Sequence, residues 1–428
     1  MNNNQIKSFA KNGHEKMIYD TRMGPQALLH KNKIYICYQA NPSGKEPQPW
    51  IIYFDINEKS FSKPVQVAKL PEKEDHHHAP IMWFDEMDKI HIYCYCHSNK
   101  GDGLHLVSKN PLDINKWEKT TRPAKRITYP RLFRLSEKKL LMYLRVKGHL
   151  GYWAYIISED NGYTWTDPVP LFDFDKNPGS ELDEWAGSYH SIVLDSEKEK
   201  AQIGFVYWDE SRSENPLYKK EKTFNNYYRY HLYGAELDIK SNTLFNLKGQ
   251  KMSTPVNKED AEKCKIWDTG HKWTNQPTVL FGEKPAFMIP VAGESAYQVL
   301  FYFVFLDNEG VWQKVQVTET NNIWSASALT RDGEGNIVAY LVSEKQSDKK
   351  LKFGGGDRIE QWISSDGGFN WKKENILKPE PGLVYNNPTF VEKKEGEILN
   401  DYLIFFGWKG NQAICNDGKA FLWQKEGK

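Results

Sequence analysis

The sequence predicts an all-β chain folded as a seven-bladed β-propeller with four antiparallel strands per blade, and three observations carry that expectation. Aromatic residues make up 14% of the chain, a composition that suits pleated, half-buried strand surfaces. A hairpin of two alternating strands around a tight turn recurs seven times along the 428 residues. Between copies lie polar turns that end in Trp or Phe, marking a second hairpin and a unit of roughly 50–60 residues, the length of a propeller blade.

The copies open near Pro25, Pro80, Pro130, Tyr189, Pro277, Ser325 and Pro388. Their second strands begin at Ile34, Ile90, Leu140, Ile203, Ala286, Ile337 and Leu403, each a short run of alternating or continuous apolar residues. Ser158 to Trp165 and Ser364 to Trp371 fit the Asp-box pattern Ser-x-Asp-x-Gly-x-x-Trp, in which the carboxylate ties the turn amides and the indole plugs between sheets. Asp55 to Phe61 and Asn110 to Trp117 read as degenerate versions. The stretches 209–226 and 251–274 are expected as loops over one face. A pair of β-sandwiches is the alternative architecture, but near-even spacing favours the propeller. No Pro/Ser-rich linker divides the chain, so residues 1–428 are expected to form one domain.

Composition excludes several classes of function. A net charge of +1 gives no global attraction to nucleic acid, so any anion preference must be local. No apolar run reaches the length of about 18 residues that a membrane-spanning helix needs. The first residues, Met1 to Gln5, lack an apolar signal core, which suggests a soluble protein or a mature form without its leader. Five cysteines without regular spacing argue against a disulfide framework. Cys94 and Cys96 alternate in one strand and are expected as small core residues. Cys264, His271 and Cys415 would suit a zinc ion if the fold gathers them; buried free thiols are the alternative.

The chemistry concentrates at the open ends of two hairpins. His77 and His97 bracket the first, three residues before Pro80 and seventeen after it; Tyr129 and Arg145 bracket the second, one before Pro130 and fifteen after. Near-equivalent positions on adjacent blades would place two imidazoles, a phenol and a guanidinium in one patch. Such a set can remove a proton beside a carboxylate, neutralise that carboxylate and protonate a leaving oxygen. Unit four adds Tyr189 and His190 at its start and Tyr207 and Trp208 at its end. Lys100, Arg131, Lys147 and His149 give the same edge a basic character suited to an anionic sugar. In the run His76-His77-His78, strand alternation would let His76 and His78 alone cooperate on a metal. Each of these residues has a structural alternative, such as a satisfied edge histidine, Tyr129 packing on Pro130, or Arg145 pairing with a loop carboxylate.

These residues resemble a known family. The Asp-x-His-x-Ala-Pro start at Asp75, the second histidine twenty residues after His77, the Tyr-Pro-Arg-Leu segment at Tyr129 and the arginine sixteen residues beyond it are similar to the BNR-repeat ulvan lyases. The resemblance implies a seven-bladed polysaccharide lyase that cuts ulvan between 3-sulfated rhamnose and a uronate by β-elimination. It implies that His77 and His97 form the histidine pair, Tyr129 is the catalytic tyrosine, Arg145 neutralises the carboxylate and Tyr189 is a further active-site tyrosine. Tyr189, His190, Arg131, Lys147 and Trp208 are the expected substrate-binding residues. It further implies an anionic polysaccharide as partner, a secreted or periplasmic location, a monomer and no cofactor for the chemistry. A structural metal, zinc or calcium, would fall to Cys264, His271 and Cys415. His78 stands where a small amide residue is common, a departure that bears on substrate preference.

The favoured roles are a neutral histidine as base and Tyr129 as acid; the alternative makes a Tyr129 phenolate beside Arg145 the base. Two other classes compete: a hydrolase on the same propeller, or a sugar-binding propeller without turnover. A sialidase-like hydrolase needs a tyrosine with three arginines, and no such trio is evident from the sequence pattern. An unsaturated, ultraviolet-absorbing product separates elimination from hydrolysis.

Overall fold

The computed structural model describes residues 6–13, 16–41, 47–71, 75–97, 101–148, 151–174, 186–195, 197, 199–270, apart from 210–227 and some side chains, then 272–294, 298–344, 354–409 and 417–425. Among these residues the chain forms seven antiparallel units of four main strands. Units one to six follow chain order, with strands lying within 27–66, 81–120, 127–172, 186–246, 278–320 and 327–377. Unit seven combines Leu383–Lys393, Ile398–Lys409 and Gly418–Gln424 with the N-terminal strand Ile6–Gly13, which pairs along Gly418–Gln424. The N-terminal strand therefore supplies the outer strand of unit seven.

Hydrophobic cores lie between the sheets, because each strand buries alternate residues against a neighbouring unit. Tyr35 and Cys37 of unit one pack with Met82, Ile92 and Cys94 of unit two. One continuous core spans units two to five through Trp83, Tyr143, Trp153, Phe205 and Phe287. Met288 and Phe301 of unit five meet Ala339 and Leu341 of unit six, and Tyr340 of unit six meets Phe405 and Trp423 of unit seven. Ile404 and Trp408 of unit seven close onto Ile36 and Phe54 of unit one. The circuit is closed by a short parallel pairing of Leu28 and Leu29 with Glu392 and Lys393. Each fully buried aromatic or aliphatic side chain contributes on the order of 1.5–3 kcal/mol, so the sheets hold one another. Four cysteines among the described residues, Cys37, Cys94, Cys96 and Cys264, are free and buried.

The Trp-terminated turns act as inter-unit plugs. The Asp160 carboxylate accepts from the Ser158 hydroxyl and the Thr164 amide, both at 2.8 Å, while the Trp165 indole donates to the Gly162 carbonyl at 2.9 Å. That indole meets Trp83 of unit two edge-on at 6.3 Å. Asp366 and Trp371 repeat the arrangement in unit six, with Trp371 against Phe303 of unit five at 5.1 Å. The stretch 251–270 is not a plain loop: it holds a short helix, Lys258–Ala261, and a strand, Lys265–Trp267, that extends the sheet of unit four along Tyr228–Asp238. Residues 210–227 lie outside the described residues.

One segment stands outside the repeat. Residues 16–25 connect the outermost strand of unit seven to the first strand of unit one and touch five units on the way. The Met17 carbonyl accepts from Gln39 of unit one, and the Ile18 carbonyl accepts from Asn387 of unit seven. Thr21 reaches Ser191 of unit four, and Gly24 exchanges backbone hydrogen bonds with Pro130 and Leu132 of unit three. The Pro25 carbonyl accepts from Met82 of unit two. Only a path near the ring axis can touch so many units, so this segment lines the centre of the ring. A Cβ at Gly24 would meet the end of the Arg131 guanidinium, so the two are closely packed there.

Candidate active site

Unit two builds the first half of the site. Asp75 caps a single 3-10 turn, His76–His78, accepting from the His77 amide at 3.0 Å, and the strand Ile81–Phe84 follows. The strand expected at His76–His78 is a 3-10 turn instead, and His78 packs on the Tyr95 ring at 4.5 Å. The cap places the Asp75 carboxylate under two rings. Its Oδ1 accepts from His77 Nδ1 at 2.6 Å and its Oδ2 from His97 Nδ1 at 2.5 Å. The rings stack with centroids 3.8 Å apart. Two ligand atoms on one tetrahedral metal, each bound at about 2.0–2.1 Å, stand about 3.3 Å apart; the shorter separations here are those of hydrogen bonds. Burial, and then the neighbouring His97, hold His77 well below the ordinary imidazole range, so it is neutral at working pH.

Unit three supplies the second half through a β-bulge. Thr128 pairs with Arg145 and Arg131 with Tyr143, so an extra residue is inserted at Tyr129-Pro130. Tyr129 sits at φ +58°, a left-handed conformation costing about 1–2 kcal/mol for a residue with a Cβ. The axial segment holds it there, with the Gly24 amide donating to the Pro130 carbonyl at 3.1 Å. The bulge turns the Tyr129 ring to within 5.6 Å of His77 and 5.9 Å of Tyr189. Arg145 is 2% exposed, with its guanidinium carbon 4.8 Å from the Tyr129 ring and 5.2 Å from the Tyr189 ring. Its Nε and Nη2 have no hydrogen-bond partner among the described residues. A buried cation with two open donors beside two phenols has the hydrogen-bonding capacity to take an anion.

Two further arginines complete the cluster, and the sequence pattern missed both. Arg22 arrives on the axial segment, 4.6 Å from the Tyr129 ring and 5.4 Å from Tyr189, and is held by a buried ion pair to Asp20 at 2.5 Å. Arg229 arrives on the third strand of unit four, 3.5 Å from the Tyr189 ring and 4.3 Å from Trp324, and donates to Asn275 and Gln276. The expectation that no trio of arginines exists is thus corrected, since Arg22, Arg145 and Arg229 surround one tyrosine pair. They lie on the axial segment, unit three and unit four in no shared motif, so spacing could not connect them; only Arg22, beside Met23-Gly24-Pro25, carried a local signal. Tyr19, also on the axial segment, lies 5.8 Å from His77 and 6.0 Å from Tyr129.

The cations set the acidity of the pair. Burial would raise Tyr189, but the charges of Arg145, Arg229 and Arg22 overrule it and bring the phenol down to about 8. The companion Tyr129 is pushed up to about 12 by burial and then by the charge on Tyr189. The pair therefore releases one proton early and holds the other.

The remaining expected residues divide. Trp208 is fully buried and meets Tyr189 edge-on at 5.7 Å, so it supports that ring. His190, one residue on, faces the core: it stacks on Trp153 at 4.4 Å, and its two nitrogens engage the Tyr143 hydroxyl at 2.7 Å and the Ser188 hydroxyl at 2.6 Å. Adjacent strand residues point to opposite faces, which is why Tyr189 and His190 separate. Arg131 commits its guanidinium to Glu392 of unit seven at 2.7 Å. Lys147 is exposed, its ammonium 5.8 Å from the Tyr152 ring. Lys100 and His149 lie outside the described residues, as do His271 and Cys415. Cys264 is a buried thiol raised to about 12 by burial.

Known proteins resemble the chain in sequence and in fold. Residues 48–320, well over half of the chain, match the family described as BNR repeat-containing family member. The ulvan lyase of Alteromonas sp. (strain LOR) is 26% identical over 274 residues, covering 58% of this chain and 54% of that protein. Ulvan Lyase-PL25 of Pseudoalteromonas sp. (strain PLSV) is 25% identical over 401 residues, covering 86% and 77%. The chain thus spans little more than half of the Alteromonas relative. Among solved structures, a polysaccharide lyase PL25 ulvan lyase bound to -[GlcA(1-4)Rha3S]- superposes with a TM-score of 0.76 at 19% identity, over 98% of this chain and 96% of that one. Polysaccharide lyase Uly1 superposes with a TM-score of 0.61 at 11% identity, over 97% and 93%. These likenesses share the fold, and the chain belongs to the BNR repeat-containing family.

Proposed function

We propose that the protein is a polysaccharide lyase that cleaves ulvan between rhamnose 3-sulfate and a uronate by β-elimination, leaving an unsaturated uronate end. One observation carries the reading: an imidazole pair, a phenol pair and a buried guanidinium with two open donors meet in one cluster. The named activity of the Alteromonas, Pseudoalteromonas and Nonlabens ulvanivorans relatives supports it.

The chemistry follows from the groups. Arg145 pairs with the uronate carboxylate and offsets the second negative charge that develops there when the C5 proton leaves. His77, neutral with its Nδ1 proton committed to Asp75, takes that proton on Nε2. The electron pair left at C5 forms the C4–C5 double bond as the C4–O4 bond breaks. Tyr129, coupled to Tyr189, protonates O4; the phenolate left behind is stabilised by three guanidiniums, which makes the pair a stronger acid than an ordinary tyrosine. Return of the proton from His77 to the tyrosine pair resets the site. Each step uses the chain's own groups. A polymeric substrate is too large to cross a cell envelope intact, so the reading places the enzyme outside the cytoplasm. Among the described residues, no helix is long and apolar enough to cross a membrane.

The test is incubation with ulvan, alginate, heparin and gum arabic while ultraviolet absorbance and reducing ends are followed. Elimination predicts both signals with ulvan. The three arginines around a tyrosine pair support one second reading, hydrolysis through a tyrosine nucleophile, which predicts new reducing ends without absorbance. Neither signal on any polymer would leave a sugar-binding propeller.

A further inference from the structure

Asp75 is the one carboxylate shared by both imidazoles of the site, and its role follows from counting protons. An ionised carboxylate only accepts hydrogen bonds. Burial alone would raise this carboxyl, but the hydrogen bonds from His77 and His97 hold it well below the usual carboxylate range, so it is ionised wherever the enzyme works. Both rings approach it through Nδ1 at 2.5–2.6 Å, so both Nδ1 atoms carry protons. A neutral ring has one proton, so neutral His77 keeps its Nε2 as a lone-pair acceptor on the side away from Asp75. The stacking at 3.8 Å adds a second constraint, because two imidazoliums face to face over a single carboxylate would repel. The pair can store one proton, compensated by Asp75, and no more.

We propose that Asp75 is the positioning residue of the elimination: one buried carboxylate fixes both His77 and His97 as Nδ1–H tautomers, presents His77 Nε2 as the base, and provides the counter-charge for the proton it takes. His77 is the reacting ring, since its side chain is 16% exposed against 6% for His97, and it is His77 that contacts Tyr129. His97 then serves as the stacked platform that keeps His77 in plane. This proposal rests on the lyase reading for its kinetic consequence, while its structural content, the tautomers, stands independently.

The test is Asp75→Asn in the full chain. Asparagine is as good a helix cap as aspartate, so the turn at His76–His78 keeps its cap, and a purely structural role predicts nearly unchanged activity. A positioning role predicts otherwise, because an amide cannot accept from both rings as the carboxylate does and carries no counter-charge. By analogy with the serine-protease aspartate described for that triad, kcat should fall about 10³–10⁴-fold. KM should stay within about threefold, since Asp75 does not touch the substrate, and thermal unfolding should stay close to wild type. Nitrogen-15 NMR of histidine-labelled protein provides the readout that does not need turnover. In wild type the spectrum should show protonated Nδ1 at both His77 and His97 and a lone-pair Nε2 at His77, and in Asp75→Asn at least one ring should switch. Should the protein turn over no uronate polymer, the lyase reading fails while the tautomer spectrum still decides the role of Asp75. A wild-type Nε2–H tautomer at either ring overturns the proposal, as does an Asp75→Asn enzyme with kcat within about threefold of wild type.

Discussion

Replacing Arg229 with glutamine should move the alkaline limb of the rate profile, and the size of the movement follows from the geometry. The Arg229 guanidinium lies over the Tyr189 ring, 3.5 Å from its centroid. A group so placed is on the order of 4–5 Å from the phenolate charge, and at an effective dielectric near 20 their attraction is about 3–4 kcal/mol. That corresponds to roughly 2–3 pH units for the first proton of the tyrosine pair. Arg145 and Arg22 remain, so the limb that lies near pH 8 in wild type should move up to about pH 10, the ordinary tyrosine value. Because the pair acts as the acid, activity falls as pH rises through this limb; a phenolate base would make activity rise there instead. The assay is kcat against pH on ulvan, together with an ultraviolet difference titration of tyrosinate on the same protein. Stability gives a consistency check. The folded value of Tyr189 is depressed below the unfolded one, so its ionisation adds stability that fades as pH falls from about 10 through about 8, while Tyr129, held up at about 12, takes that stability back as pH rises above about 10; the pair's contribution therefore peaks near pH 10. Wild type and Arg229→Gln should therefore diverge in thermal unfolding on the alkaline side. A limb that stays near pH 8 in the variant would refute the electrostatic account of the tyrosine pair.

Other expectations follow from the same cluster. Arg145→Met should lower kcat about 10²–10³-fold, the usual effect of removing one charge-stabilising donor, and raise KM, both read from initial rates of product absorbance. Tyr129→Phe should cost about 10³-fold or more in turnover with thermal unfolding little changed, since only a hydroxyl is removed from a packed ring. Of the two histidine variants, His77→Gln should lose more activity than His97→Gln; the reverse order would assign the base to His97. Arg131→Met should leave kcat and KM unchanged but destabilise the fold by about 3–5 kcal/mol, because it strands Glu392 in a buried contact between units three and seven, and denaturant unfolding measures it.

Much of the fold was legible because its signals are local. Strand alternation, prolines at strand starts and the Ser-x-Asp-x-Gly-x-x-Trp turns each operate within about ten residues, and sheets built from consecutive hairpins preserve that order. His77, His97, Tyr129 and Arg145 were legible for the same reason, as they occupy equivalent places on successive hairpins. The β-bulge at Tyr129 was not, although it is what aims the phenol, because register depends on the partner strand.

What the sequence by itself determined is the repeat, its strand content and four of the groups that the fold gathers into one cluster. Tertiary structure alone decided which charges meet. Arg22 and Tyr19 enter because residues 16–25 line the axis, Arg229 enters from unit four, and Arg131, adjacent in sequence to the site, is drawn to Glu392 across the ring. The physical reason is range: hydrogen-bonded turns and side-chain alternation are set by neighbours in the chain, whereas burial and Coulomb attraction act between whatever groups the closed ring brings within a few ångströms.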